Sequence, residues 1–412
     1  MPPRMGKVGC AIGNDDVMAR DTTTMAAAAA VVTVTALPAF LTGALAVPMR
    51  ADLGFDEGGL GVVVATFFGT ASLASVAGGR LAERLGPTAA MRLASLLVAF
   101  ALGAVALVGR SFGVLLVCVA VGGLSHAVAH PSSSLLLARA IDPSRLGLAL
   151  GIKQSAVPAA NSLSGLAVPV IGLTVGWRWA FAAGAVAAAT LFALPRGGGP
   201  GGGRREPVVA TRRAARDTAL RSMLLLATAA AFAAAAVGCL GSFLVSSAVD
   251  SGIAQGHAGL LAAGGSATGV AVLVTLGMRA DRQGGDHLRL VIAMLGIGAA
   301  GCLLMATREV AAVAVGGLVA YLGWGWNGLF NLAVVRSNPT APGAATGITQ
   351  TGVFVGAVCG PLLFGAMVDA ASYGGAWLVS AALWAASVLA VAGGRLLLGG
   401  RDRTTGTSGL RS

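Results

Sequence analysis

Long apolar runs alternate with short polar connections along this chain, and the runs share a characteristic length. Crossing the hydrocarbon core of a bilayer takes about 20 mainly apolar residues. Twelve segments meet that requirement: 25–49, 58–79, 90–109, 112–138, 147–174, 178–195, 222–248, 258–278, 288–306, 309–334, 344–368 and 375–398. Backbone polar groups in lipid have no water to pair with, so each segment is expected to be an α-helix, whose hydrogen bonds close within the segment. The polar stretch 1–24 lacks the short apolar core and small-residue site of a signal peptide, and no cleavage is expected there.

Composition strengthens this reading. Of 412 residues, 56% are hydrophobic and only 11% charged, and the mean hydropathy is +0.82; soluble domains carry roughly 25% charged residues. The net charge of +12 would point to nucleic acid in a soluble protein. Here the basic residues fall between the apolar runs with no aromatic–basic groove, so no nucleic-acid partner is expected, only the lipid bilayer. Lys and Arg accumulate in cytoplasmic loops. With the N-terminus in the cytoplasm, 23 of the 28 basic residues lie on that side and only Arg50, Arg110, Arg178 and Arg308 lie outside. The expectation is a multi-pass protein of a bacterial-type inner (plasma) membrane with both termini cytoplasmic. Cys118, Cys239, Cys302 and Cys359 sit within apolar runs without metal-ligand spacing, so neither metal nor cofactor is expected.

The two halves of the chain repeat. Gly79-Arg80-Leu81-Ala82-Glu83-Arg84-Leu85-Gly86 follows the second segment, and Gly277-Met278-Arg279-Ala280-Asp281-Arg282-Gln283-Gly284 follows the eighth. Gly151-Ile152-Lys153-Gln154-Ser155-Ala156-Val157 likewise matches Gly347-Ile348-Thr349-Gln350-Thr351-Gly352-Val353, and His126 and His130 pair with Asn327 and Asn331. Duplicated halves commonly enclose a midplane site where the repeats meet. The expected fold class is therefore all-α integral membrane, with 12 transmembrane helices in two pseudo-symmetric six-helix bundles. The expected division is a cytoplasmic tail over 1–24, a first bundle over 25–195, a basic Gly-rich cytoplasmic linker over 196–221, a second bundle over 222–398 and a cytoplasmic tail over 399–412.

On these motifs the chain resembles the major facilitator superfamily over essentially all twelve segments. The family's loop between helices two and three reads roughly G-x-L-A-D-R-x-G-R-K. This sequence supplies Gly79, Leu81, Ala82, Arg84 and Gly86, with Glu83 for the Asp and Pro87 and Thr88 for the basic pair. The copy at Gly277, Asp281, Arg282 and Gly284 strengthens the match. The resemblance implies that Gly79, Glu83, Arg84 and Gly86 and their second-half copies form a gating motif that helps hold the cytoplasmic side closed. Two stretches depart from the family's drug antiporters. Cys118-Val119-Ala120 stands where an Arg is usual, and Val157-Pro158-Ala159-Ala160-Asn161 stands where a Gly-Pro-x-x-Gly-Gly-like stretch is usual.

Polar and ionisable residues within a membrane helix are costly, which makes each a candidate for function. Lys153 stands out, because the chain has only two Lys, at positions 7 and 153, against 26 Arg. As a compact ammonium it either attracts an anion or snorkels to the headgroups. Gln154 and Gln350, at equivalent places in the halves, either bracket a polar solute or tie helices together. Asn161 lies seven residues beyond Gln154 and extends its stripe, with Pro158 between them. His126 and His130 share a helix face, which suits solute binding, a coupled proton, or a hydrogen bond to a neighbouring helix. Asn327 and Asn331 are their second-half counterparts, with Trp324 and Trp326 as cavity walls or plain packing.

The Asp and Glu residues all fall in loops, tails or helix ends. A cavity with a cation and no acid favours an anion. The expected function is alternating-access transport of a small solute, an organic anion, by a monomer, optionally with a coupled proton; the alternative is a drug or metabolite efflux exporter of the same superfamily. No phosphate-cradling motif or soluble nucleotide-binding domain is present, and the helices lack the ligands of a membrane enzyme, so no catalytic residues are expected.

Overall fold

The computed structural model describes residues 8–142, 145–193, 218–282, 287–338 and 342–408, and among them every regular element is helical. The first half contains α1 (Val8–Ala44), α2 (Ala46–Leu53), α3 (Glu57–Leu85), α4 (Pro87–Val108), α5 (Phe112–Ala140), α6 (Leu146–Gln154), α7 (Ala156–Ala167) and α8 (Trp177–Phe192). The second half contains α9 (Thr218–Asp250), α10 (Gln255–Arg282), α11 (His287–Ala306), α12 (Val310–Gly323), α13 (Trp326–Ser337), α14 (Pro342–Ala370) and α15 (Tyr373–Ser408). A π-helical turn at Val168–Gly172 extends α7. The linker expected at 196–221 lies outside the described residues except for its last four positions.

Among the described residues, eleven helices or helix pairs are long and apolar enough to cross a membrane. The twelfth expected span, 178–195, corresponds to α8, which is helical for 16 residues before the chain leaves the described region. The outer surface is apolar, with Leu73, Leu107, Leu389 and Phe100 all more than 60% exposed, as a lipid-facing girdle requires. Both ends of the chain carry more helix than the apolar pattern indicates. α1 begins at Val8 and α15 runs on to Ser408. The extension of α1 is tied down by Asp21, which accepts a hydrogen bond from Arg145 at 3.0 Å just ahead of α6.

Prolines set the breaks inside spans. A proline at position i removes the bond to the carbonyl of i−4 and crowds it. Pro158 acts in this way on Gln154, and the fifth span divides there into α6 and α7 at Ser155. Pro48 does the same at Ala44, where α1 gives way to α2.

The halves pack through α3 against α14, α7 against α10, and α1 against α9. Exchanging the halves by the repeated motifs turns the α3–α14 contact into the α10–α7 contact, so the packing follows the internal duplication. The face at which α8 ends and α9 begins is the linker face. At the other face the halves touch backbone to backbone. A Cβ on Gly61 would sit 2.5 Å from the Pro361 carbonyl oxygen, and one on Gly365 would sit 2.4 Å from that of Glu57.

Polar contacts lock the same region. Buried Glu57 meets Arg50 of its own half and the Tyr373 hydroxyl of the other. Gly58 N–H at the start of α3 donates to Asp369 Oδ2 at 2.7 Å. Beside them, Trp177 Nε1 and Arg178 each donate to Asp52 Oδ2 at 2.9 Å, which holds that carboxyl below the usual carboxylate range. Asp52, Glu57 and Asp369 stand at helix ends, as the sequence indicates, whereas Asp21 falls inside α1 because that helix begins earlier than the apolar pattern suggests; Asp21 and Glu57 are both buried.

Candidate functional site: a cavity between the halves

Two adjoining cavities of about 620 and 710 Å³ lie between the halves and share His130, Ser134, Gln154 and Gln350. The first reaches the mid-membrane aromatics Phe40, Phe68, Trp324 and Trp326. The second runs past Ala138, Gly147 and Val335, close to the linker-face ends of α5, α6 and α13. The passage is therefore developed toward the linker face, while the opposite face is held by the contacts around Glu57.

Of the eight residues singled out for solute binding, seven line this space: His126, His130, Lys153, Gln154, Asn327, Asn331 and Gln350. Lys153 is only 4% exposed. An ammonium has three donors and no acceptor. Its Nζ donates to Ser134 Oγ at 2.8 Å and meets His130 Nδ1 at 3.1 Å, which assigns the ring's proton to Nε2. Among the described residues Lys153 has no ion-pair partner. It does not snorkel: the break at Ser155 and the packing of α6 against α5 keep it inside. The proline that makes that break also removes the α-helical donor to the Gln154 carbonyl.

His126 lies one turn from His130, with ring centroids 5.4 Å apart and ring planes tilted by 54°. Its Nδ1 lies 3.1 Å from Thr35 Oγ1, whose hydroxyl donates to Val32 O at 3.0 Å. Nδ1–H is then the donor to Thr35, and Nε2 is left as an acceptor. Across the cavity, Asn331 Nδ2 donates to Asn327 Oδ1 at 2.7 Å. These asparagines sit just past the interruption between α12 and α13 at Trp324–Gly325. Among the described residues no group of three His, Cys, Asp or Glu is placed to hold a metal ion.

Asn161 is placed elsewhere. It is buried and donates to the Tyr321 hydroxyl at 2.7 Å, joining α7 to α12 across the halves. Tyr321 in turn stacks on Trp324 with 4° between ring planes and 5.5 Å between centroids. Asn161 thus supports the aromatic end of the cavity from behind rather than lining it. Thr33 and Thr35 bond backbone carbonyls of their own helix, and neither they nor Ser242 and Ser246 border the cavity. Ser72 and Ser75 of α3, together with Phe40, Phe68 and Phe354, line it without having been singled out. The two serines, three apart in an apolar run, were the available signal; the phenylalanines gave none.

In the gating motif, Gly86 has φ +82°, a conformation that glycine adopts freely, and it makes the turn between α3 and α4. Glu83 and Arg84 are exposed, and among the described residues neither has an ion-pair partner. In the second copy, Gly277, Asp281 and Arg282 fall at the end of α10, and Gly284 lies outside the described residues.

The contacts at the closed face give a direct expectation. Tyr373→Phe removes a hydrogen bond to a buried carboxylate, an interaction worth about 1.5–3 kcal/mol. A Phe40→Cys reporter should then react about tenfold faster with a membrane-impermeant maleimide added from that face. An unchanged rate would show that this bond does not hold the face shut.

A helical membrane protein whose duplicated halves enclose a polar cavity developed toward one face is a membrane transporter. The family model of the Major Facilitator Superfamily matches residues 26–224. Among solved structures, the chain is similar to one described as a bacterial homolog to human lysosomal transporter, Spinster, in an inward-facing and unoccupied conformation; the TM-score is 0.64 and the identity 14%, over 92% of this chain and 96% of the other. No curated protein matches the chain by sequence. The family match thus covers the first half of the chain and the start of the second, and over the chain as a whole the likeness is one of fold.

Proposed function

We propose that this protein carries a small organic anion across a bacterial-type inner (plasma) membrane by alternating access, the linker face being cytoplasmic and the two six-helix halves rocking about the cavity. The observation that carries this is Lys153: a buried ammonium bordering the cavity, held by two neutral partners and paired with no described carboxylate. An anion supplies the missing countercharge. Gln154, Gln350, Asn327 and Asn331 offer neutral hydrogen bonds around it, which fix orientation without competing for the charge. The mid-membrane aromatics favour a cargo with an apolar portion, and the same lining supports the second reading, export of an amphipathic drug or metabolite. The linker face is assigned to the cytoplasm from the 23 basic residues on that side.

The test is uptake by the purified full-length protein in proteoliposomes, using labelled lactate, succinate and citrate against choline and tetraethylammonium. Saturable uptake or exchange of a carboxylate, with the two cations excluded, is the expected result. Preference for the cations would sink the substrate class and favour the efflux reading.

A further inference from the structure

The position of Lys153 also bears on how charge is balanced through a transport cycle, if the cargo is the anion proposed above. The elements packed on α6 are α1, α5, α7 and α10. α5 carries His126 and His130, the latter in contact with Lys153, with Cys118 and Arg139 toward its two ends. Among the described side chains of α1 are Arg20 and Asp21, the latter engaged by Arg145. α7 carries no titratable side chain, and among the described side chains of α10 His257 stands near one end and Arg279 near the other. Across the cavity, α13 and α14 contribute Arg336, Cys359 and Asp369, of which Asp369 is engaged at the opposite face with Gly58. The ammonium therefore has a hydroxyl and an imidazole for company and no described carboxylate as a pair.

A charge buried in this way is expensive unless an anion pairs with it. A carrier must also return empty. An empty site that closed over an unpaired ammonium would move that charge across the membrane at the same cost.

We propose that Lys153 is the proton-carrying group of the cycle. It takes the cargo carboxylate as an ammonium and returns as a neutral amine, so one proton accompanies each monoanion and turnover is electroneutral. The step balances: the loaded site holds R–NH₃⁺ and R′–COO⁻. Release sends the carboxylate into the aqueous cavity, and the proton follows, to water or through the adjoining His130 imidazole, leaving R–NH₂. The return stroke carries no net charge on this group, and reprotonation on the other side resets it.

The experiment uses the same proteoliposomes and whichever carboxylate they take up, with a pH-sensitive dye inside. A gradient of one pH unit, acid outside, should accumulate a monoanion about tenfold at equilibrium. A potassium–valinomycin potential should leave that ratio unchanged, and the dye should report one proton per anion. Potential-driven or gradient-indifferent uptake would overturn the proposal while leaving the anion reading intact, whereas failure of every carboxylate to enter would remove both. Lys153→Arg keeps a charge that cannot be shed, so its net uptake relative to its exchange should fall at least tenfold. An unchanged ratio would transfer the proton to His130 or elsewhere and overturn the assignment. The stoichiometry of the unaltered protein decides the matter even if this variant does not fold.

Discussion

Lys153→Met is expected to abolish carboxylate transport while leaving a folded protein. Methionine has nearly the length of lysine and no polar atom that demands a partner. Removing one member of a desolvated charge pair costs about 2–5 kcal/mol of binding, which is about thirtyfold to several thousandfold in affinity. The fold has no matching reason to suffer. An unpaired buried ion contributes little to stability, and its replacement by an apolar isostere is commonly neutral or stabilising. His130 and Ser134 lose a donor, but both border the cavity, where water can replace it. The two measurements separate the possibilities: binding or exchange of the carboxylate on one side, and melting of the detergent-solubilised protein on the other. Retained affinity in a stable variant would refute the charge assignment. A variant that melts far below the parent would show that the lysine is structural.

The second large effect is expected where α14 lies on α9. Gly352, Gly356 and Gly360 recur every fourth residue on α14, opposite Ala227, Ala231 and Ala235 on α9. Cβ atoms added at the three glycines would sit 2.0, 1.9 and 2.5 Å from the nearest backbone atoms of Ala227, Ala231 and Ala235. Within lipid, helix association depends on such close packing, because burying apolar surface gains nothing against acyl chains. Gly356→Leu forces a side chain into a neighbouring backbone that has no rotamer to yield, and should cost about 3 kcal/mol. Val355→Leu, one position away and 52% exposed on the apolar surface, should stay within about 0.5 kcal/mol. Thermal unfolding of the two variants in detergent tests this; equal melting would mean that the helices do not cross so closely.

Most of the architecture can be read from the apolar runs because lipid leaves a spanning chain one choice of backbone. The polar side of the cavity was legible for a related reason. Lys153, His126, His130, Gln154 and Gln350 are conspicuous where nearly every neighbour is Ala, Val, Leu or Gly, and the repeat pairs the two glutamines. Asn161 shows where such reading stops. Seven residues beyond Gln154 is the same face on an unbroken helix, but the interruption at Ser155 shifts the phase and turns Asn161 onto Tyr321. The proline was visible; the size of the shift was not. Phe40, Phe68 and Phe354 escaped altogether, since an apolar side chain facing a cavity is the same residue type as one facing acyl chains. The helical continuation of α1 back to Val8 was hidden too, because the Asp21–Arg145 contact that secures it joins positions 124 residues apart.

That same contact bears on how force would travel through the molecule. Arg145 stands at the head of the short segment that ends with Lys153, and its other attachment is on α1. The amine is thus mounted on a braced strut and not on a free arm. A ligand drawn to it pulls on two rods that are already lashed together, and the lobe answers as a single lever. Severing the lashing would let the strut swing alone, so that capture of cargo no longer tips the lobe.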